Sequence, residues 1–116
     1  MIVCAIDDLM FSIRISTAAK SLQADVYFER SADKVLDTIR EKRPTLVIFD
    51  LNSPRLRPLD SLVQLKREPE LASIRTLGYV AHADSATIEA ARAAGIDQVM
   101  ARSAFVNQLG SILTSE

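Results

Sequence analysis

Two short apolar runs each end in acid: Met1 to Ile6 (MIVCAI) is followed by Asp7 and Asp8, and Thr45 to Phe49 (TLVIF) by Asp50. Neither run alternates apolar with polar residues, so both of its faces need cover, the condition of a central strand in a parallel sheet with helices on either side. Three more segments read as strands: Asp25 to Glu29 (DVYFE), nearer an edge, Gln98 to Ala101 (QVMA), and Thr76 to Val80 (TLGYV), weakened by Gly78.

Between these runs the period changes to that of a helix. Phe11, Ile15, Ala18 and Leu22 mark one apolar stripe, and Ala32, Val35, Leu36 and Ile39 another, with Ser31 available as a cap and Pro44 as a stop. A third helix is expected from Pro58, with Leu59, Leu62 and Val63, before Pro69. A fourth is expected from Ser85 to Ala94, closed by Gly95, and a fifth after Ser103 carries Phe105, Val106, Leu109, Ile112 and Leu113. The resulting βαβαβαβαβα order, with right-handed crossovers, predicts an α/β three-layer sandwich, and the flavodoxin-like (βα)5 type, a parallel sheet of order 2-1-3-4-5, is the arrangement expected here.

In that order the first and third strands are neighbours, and Asp7, Asp8 and Asp50 converge on the carboxyl edge of the sheet. Three carboxylates in one small pocket repel one another, and hard oxygen ligands favour Mg²⁺ or Mn²⁺. A carboxylate beside such a cation can act as a nucleophile toward a phosphoryl group, and Asp50 is the best placed acceptor. The competing reading of each acid, taken singly, is a solvated loop start or a helix N-cap.

With the acids placed, the chain resembles the receiver domains of bacterial two-component response regulators, the CheY-like family, along essentially its whole length. The resemblance is carried by AIDD at Ala5 to Asp8, LVIFDLNSP at Leu46 to Pro54, VAHAD at Val80 to Asp84, AAGIDQVMAR at Ala93 to Arg102, and Phe105. It implies that Asp50 matches the phosphoacceptor, that Asp7 and Asp8 match the metal-binding pair, and that Asn52 supplies a metal-binding backbone carbonyl. The partners it implies are a histidine kinase or phosphotransfer protein, and a protein bound on the face of the fourth helix, fifth strand and fifth helix; a second copy of the chain is a further candidate.

Several family positions are altered. The Thr or Ser that ends the fourth strand is Val80, the switch aromatic is Val99, and the Lys after the fifth strand is Arg102, followed by Ser103 instead of Pro. Loss of one hydrogen bond to a charged group costs on the order of 1.5–3 kcal/mol, which predicts an impaired switch. Arg102 keeps the charge with a planar fork, suited to pairing with Asp50, while Arg55 and Arg57 bring further positive charge after Asp50. The alternative function is a phosphorylation-independent pseudo-receiver that acts as a protein interaction module, with Arg102 balancing the charge.

The remaining features argue mainly by exclusion. The chain has 116 residues and 48% hydrophobic content, enough for one domain over 1–116 with a single core. A formal charge of -1 gives no electrostatic case for nucleic acid or a membrane surface. The lone Cys4 suits core packing in a reducing, cytoplasmic setting, and no apolar run is long enough to span a bilayer. His82, at the pocket rim, reads as a loop histidine or a pH-sensitive contact. The Asp7–Met10 loop lacks the glycines and hydroxyls that cradle flavin phosphate, and no nucleotide-loop or hydrolase-elbow motif occurs, so a signalling domain is expected here and not an enzyme.

Overall fold

A computed structural model describes residues 1–82 and 84–115; Ala83, within the Val80 to Asp84 motif, and Glu116 lie outside the described residues. The elements run β1 (Ile2–Ala5), α1 (Leu9–Leu22), β2 (Val26–Phe28), α2 (Val35–Lys42), β3 (Leu46–Asp50), α3 (Pro58–Arg67), β4 (Arg75–Val80), α4 (Ser85–Ala93), β5 (Gln98–Ala101), α5 (Arg102–Asn107) and α6 (Leu109–Thr114). All strand pairings are parallel, and the order is β2-β1-β3-β4-β5, the expected flavodoxin-like arrangement.

The continuous apolar runs feed two cores because successive strand side chains point to opposite faces. Val3, Ala5, Val47, Phe49 and Val80 pack with Val35 and Ile39 of α2, Leu62 and Leu65 of α3, and Ala91 of α4. On the other face Ile2, Cys4, Ile48, Leu77 and Tyr79 pack with Phe11, Ile15 and Ala19 of α1, Phe105 of α5, and Leu109 and Leu113 of α6. Cys4 is a buried, unpaired thiol whose pKa burial pushes up to about 12, so it serves as a small hydrophobe.

Gly78, which the sequence pattern treats as a weak point in β4, is what lets β4 sit inside the sheet between β3 and β5. A Cβ at this position would lie 2.6 Å from Leu51 Cδ1 and 2.9 Å from Ile96 Cδ1. The missing side chain is thus the space those two buried residues occupy, and β4 pairs along both of its edges.

Several local expectations change. Ser31 makes no capping hydrogen bond; a 3₁₀ turn over Ala32–Lys34 leads into α2 instead. Its neighbour, the buried Glu29, ties down this entry by accepting from Ser31 N at 3.2 Å and from Thr38 Oγ1 at 2.6 Å. The expected single C-terminal helix starts at Arg102, before Ser103, and is interrupted at Gln108, whose N–H is shared between the carbonyls of Ala104 and Phe105. The buried side of α1 is Phe11, Ser12, Ile15 and Ala19; Ala18 is half-buried and Leu22 is exposed. β3 extends one residue past the expected Phe49 to include Asp50, which fixes that residue's direction by strand geometry.

Candidate functional site: the acidic edge

Asp7 and Asp8 leave β1, and Asp50 ends the adjacent β3, so the sheet brings together acids distant in sequence. Asp50 is half-buried, and its Oδ1 accepts from Asn52 N–H at 3.0 Å. Burial raises its pKa above the ordinary carboxylate value; the Asn52 N–H and Arg102 oppose this, while the charges of Asp7 and Asp8 add to it. This is the mutual repulsion expected of converging carboxylates.

Each of the other two acids already has a partner. Asp8 is the N-cap of α1: its Oδ1 accepts from Phe11 N at 3.0 Å, and its Oδ2 lies 3.2 Å from Arg102 Nη2. The Phe11 N–H bond, helped by Arg102, lowers its pKa against the opposing effect of desolvation. Asp7 Oδ1 accepts from Ser53 Oγ at 2.9 Å, while Arg55 Nε stands 3.9 Å from its Oδ2. Asp8 therefore meets the helix-cap reading, and its other oxygen is held by Arg102.

Arg102 does not form its ion pair with Asp50, the partner expected from sequence. It bonds to Asp8, with its guanidinium laid over the Phe11 ring, 4.0 Å from the centroid, at the start of the helix that Asp8 caps. Arg57 is also redirected. Its backbone is left-handed at φ 46°, and its Nη2 bonds to Asp33 Oδ1 at 2.9 Å, so of the two loop arginines only Arg55 approaches the acids.

Asn52 acts through its side chain. Its Oδ1 accepts from Ala81 N at 2.6 Å and from His82 N at 3.3 Å, joining the loop after β3 to the loop after β4. The backbone N–H of the same residue donates to Asp50, so one asparagine links the candidate acceptor to both loops. His82 is exposed and contributes its backbone to this link.

Val80 is 6% exposed and faces the core of α2, α3 and α4, while Val99 is half-buried against the same core. Val80, Ala81, Ile88, Arg92, Val99, Met100 and Ala101 line an apolar groove of about 300 Å³ between α4 and β5. Two residues escaped the sequence reading. Ser53 carries no pattern that announces a buried hydroxyl, whereas Tyr79 follows from strand register, being paired with Asp50.

Among the described residues, no three His, Cys, Asp or Glu side chains are grouped so as to hold a metal ion. The donors at this edge are all hard oxygens and suit a divalent cation chemically, but Asp8 and Asp7 are turned toward Arg102 and Ser53. No helix among the described residues is long and apolar enough to cross a membrane.

No family model and no curated protein matches the sequence. Solved structures do match in shape. The Mn(2+)-bound form of the response regulator Rcp1 superposes with a TM-score of 0.84 at 16% identity, covering 99% of this chain and 95% of the other. The receiver domain of a sensor histidine kinase from Pseudomonas aeruginosa PAO1, with magnesium coordinated in its active site cleft, gives 0.84 at 17% identity, with 98% and 93% covered. A phosphorylated cyanobacterial phytochrome response regulator, RcpA, gives 0.75 at 20% identity over 98% and 89%. The chain has the fold of response-regulator receiver domains.

Proposed function

We propose that the chain is a receiver-type signalling domain whose acidic edge binds a divalent cation and accepts a phosphoryl group on Asp50 from a histidine kinase or phosphotransfer protein. The observation that carries this reading is the placement of Asp50 at the end of β3, beside the β1 strand that delivers Asp7 and Asp8, within a fold shared with receivers crystallised with manganese or magnesium. Asp7, Asp8, Asp50 and the backbone carbonyl of Asn52 would hold the cation, with Asp8 released from Arg102. When bound, the cation supplies positive charge that offsets both the carboxylate repulsion and the charge of a phosphoryl group. The buried Val80 has no hydroxyl to donate to that group and Val99 is no aromatic, so phosphorylation is weakly coupled to the surface of α4, β5 and α5.

A second reading is favoured by the internal bonds of the edge. Arg102 on Asp8 and Asn52 on the amides of Ala81 and His82 satisfy charge and donors with the chain's own groups, as a phosphorylation-independent interaction module needs. The two readings separate in one experiment. Incubation with Mg²⁺ and acetyl phosphate, followed by intact mass measurement, should add one phosphoryl group to the wild type and none to Asp50→Asn. Calorimetry should find Mg²⁺ binding that the same substitution abolishes. A chain with neither mass gain nor Mg²⁺ affinity leaves the interaction module as the reading.

A further inference from the structure

The aromatic layer beneath the acidic edge contains a polar atom that the described structure does not use. Tyr79 on β4 is in register with Asp50 on β3, so their side chains stand on the same face of neighbouring parallel strands. Tyr79 is 1% exposed, and its ring centroid lies 5.0 Å from that of Phe11 and 5.0 Å from that of Phe105. Phe11 is also the ring beneath the Arg102 guanidinium, so the phenol sits in a layer bounded by Asp50, α1, α5 and the Arg102 pair.

Within that layer the Tyr79 hydroxyl is fully buried and has no hydrogen-bond partner among the described residues. Buried phenols ordinarily find an acceptor, and an unsatisfied buried hydroxyl calls for one from outside the chain, a water or a ligand. Phenylalanine would fill the same apolar space without a desolvated hydroxyl. Burial and the nearby charge of Asp50 both hold the phenol protonated, so it is available as a donor.

We propose that Tyr79 is a further positioning residue of the acidic edge, its hydroxyl reserved for an oxygen or fluorine presented on the Asp50 side once a phosphoryl group or its mimic is held there. The inference rests on the receiver reading above and adds to it the donor that an occupied site would use. Anion binding that draws Arg102 away from Asp8 would also disturb the Phe11 ring against which Tyr79 packs, which gives the phenol room to turn.

The test compares wild type with Tyr79→Phe, using Mg²⁺ alone and then Mg²⁺ with beryllium fluoride, by calorimetry and thermal unfolding. Tyr79→Phe should unfold at the same or a higher temperature, bind Mg²⁺ unchanged, and bind beryllium fluoride roughly tenfold more weakly, the scale of one hydrogen bond to a charged group. A second readout uses Tyr27→Phe, which leaves Tyr79 as the sole tyrosine in a chain without tryptophan. Its phenol absorption should move to longer wavelength when beryllium fluoride binds.

Equal beryllium fluoride affinity in Tyr79→Phe, or an unmoved absorption, overturns the assignment and leaves the receiver reading standing. A Tyr79→Phe protein that is less stable also overturns it, because its hydroxyl is then bonded within the resting fold. A wild type that binds neither Mg²⁺ nor beryllium fluoride overturns both.

Discussion

Arg102 Nη2 stands 3.2 Å from Asp8 Oδ2, and the same guanidinium covers Phe11 at 4.0 Å. One side chain thereby joins the start of α5 to the capped start of α1 directly beside Asp50. A cation approaching Asp8 must compete with this arginine, which makes Arg102 the first position to perturb.

Replacing Arg102 with Gln should tighten Mg²⁺ binding by on the order of twofold to fivefold, the value of a partly exposed ion pair. Unfolding stability should fall by no more than about 1 kcal/mol from the lost pair and ring contact. Calorimetry and urea denaturation check the two halves independently, and weaker Mg²⁺ binding in Arg102→Gln would mean that the arginine assists the cation.

The two acids Asp50 and Asp8 should push stability in opposite directions with pH. The Asp50 carboxyl is held above its ordinary value, chiefly by burial and further by the charges of Asp7 and Asp8, so the folded chain binds its proton more tightly than the unfolded chain does. Its contribution to stability is therefore lost as pH rises from the ordinary carboxylate value through the raised one. The Asp8 carboxyl is lowered, chiefly by the Phe11 N–H, so its contribution is present above the ordinary value and lost as pH falls through the lowered one. Asp50→Asn should consequently raise stability at neutral pH and flatten the decline above the carboxylate range, measured as urea midpoints in metal-free buffer. An Asp50→Asn protein less stable than wild type at neutral pH contradicts this assignment.

Asn52→Ala removes the oxygen that receives Ala81 and His82. The cost should be about 1 kcal/mol, because both amides belong to exposed residues and can turn to water. The sharper signal is local: hydrogen exchange at Ala81 and His82 should quicken while amides in β1 and β3 keep their protection. Unchanged exchange at those two positions would show that the β4–α4 loop is held by other means.

Gly78→Ala should destabilise the fold by roughly 1–3 kcal/mol, as overpacking of a filled core does. The added carbon would meet Leu51 at 2.6 Å and Ile96 at 2.9 Å. Leu51 directly follows Asp50, so its displacement should also weaken Mg²⁺ binding. Thermal unfolding followed by calorimetry reads both effects, and a fully stable Gly78→Ala would require Leu51 and Ile96 to repack without loss.

Much of this architecture was legible in the chain. Continuous apolar strands, helical stripes and the Pro and Gly breaks gave the succession of elements, and the flavodoxin-like sheet order expected for it placed Asp50 beside Asp7 and Asp8. Gly78 weakens the strand signal of Thr76 to Val80 in the sequence because the pattern of one segment contains no information about Leu51 and Ile96, which arrive from elsewhere in the fold and fill the space of its side chain. Ser31 looked like a cap by type, but the buried carboxylate of Glu29 took over that entry.

The sequence by itself determined the alternation of strand and helix and the acids at the strand ends, since backbone periodicity and chain breaks are local properties. Tertiary structure alone decided which acid Arg102 would meet, that Asn52 would hold the Ala81 and His82 amides, and that the Tyr79 hydroxyl would be buried without a partner among the described residues. These are matters of a few ångströms between side chains on different elements. Such distances are set by how the layers pack, and residue types and spacing along the chain do not encode them one position at a time.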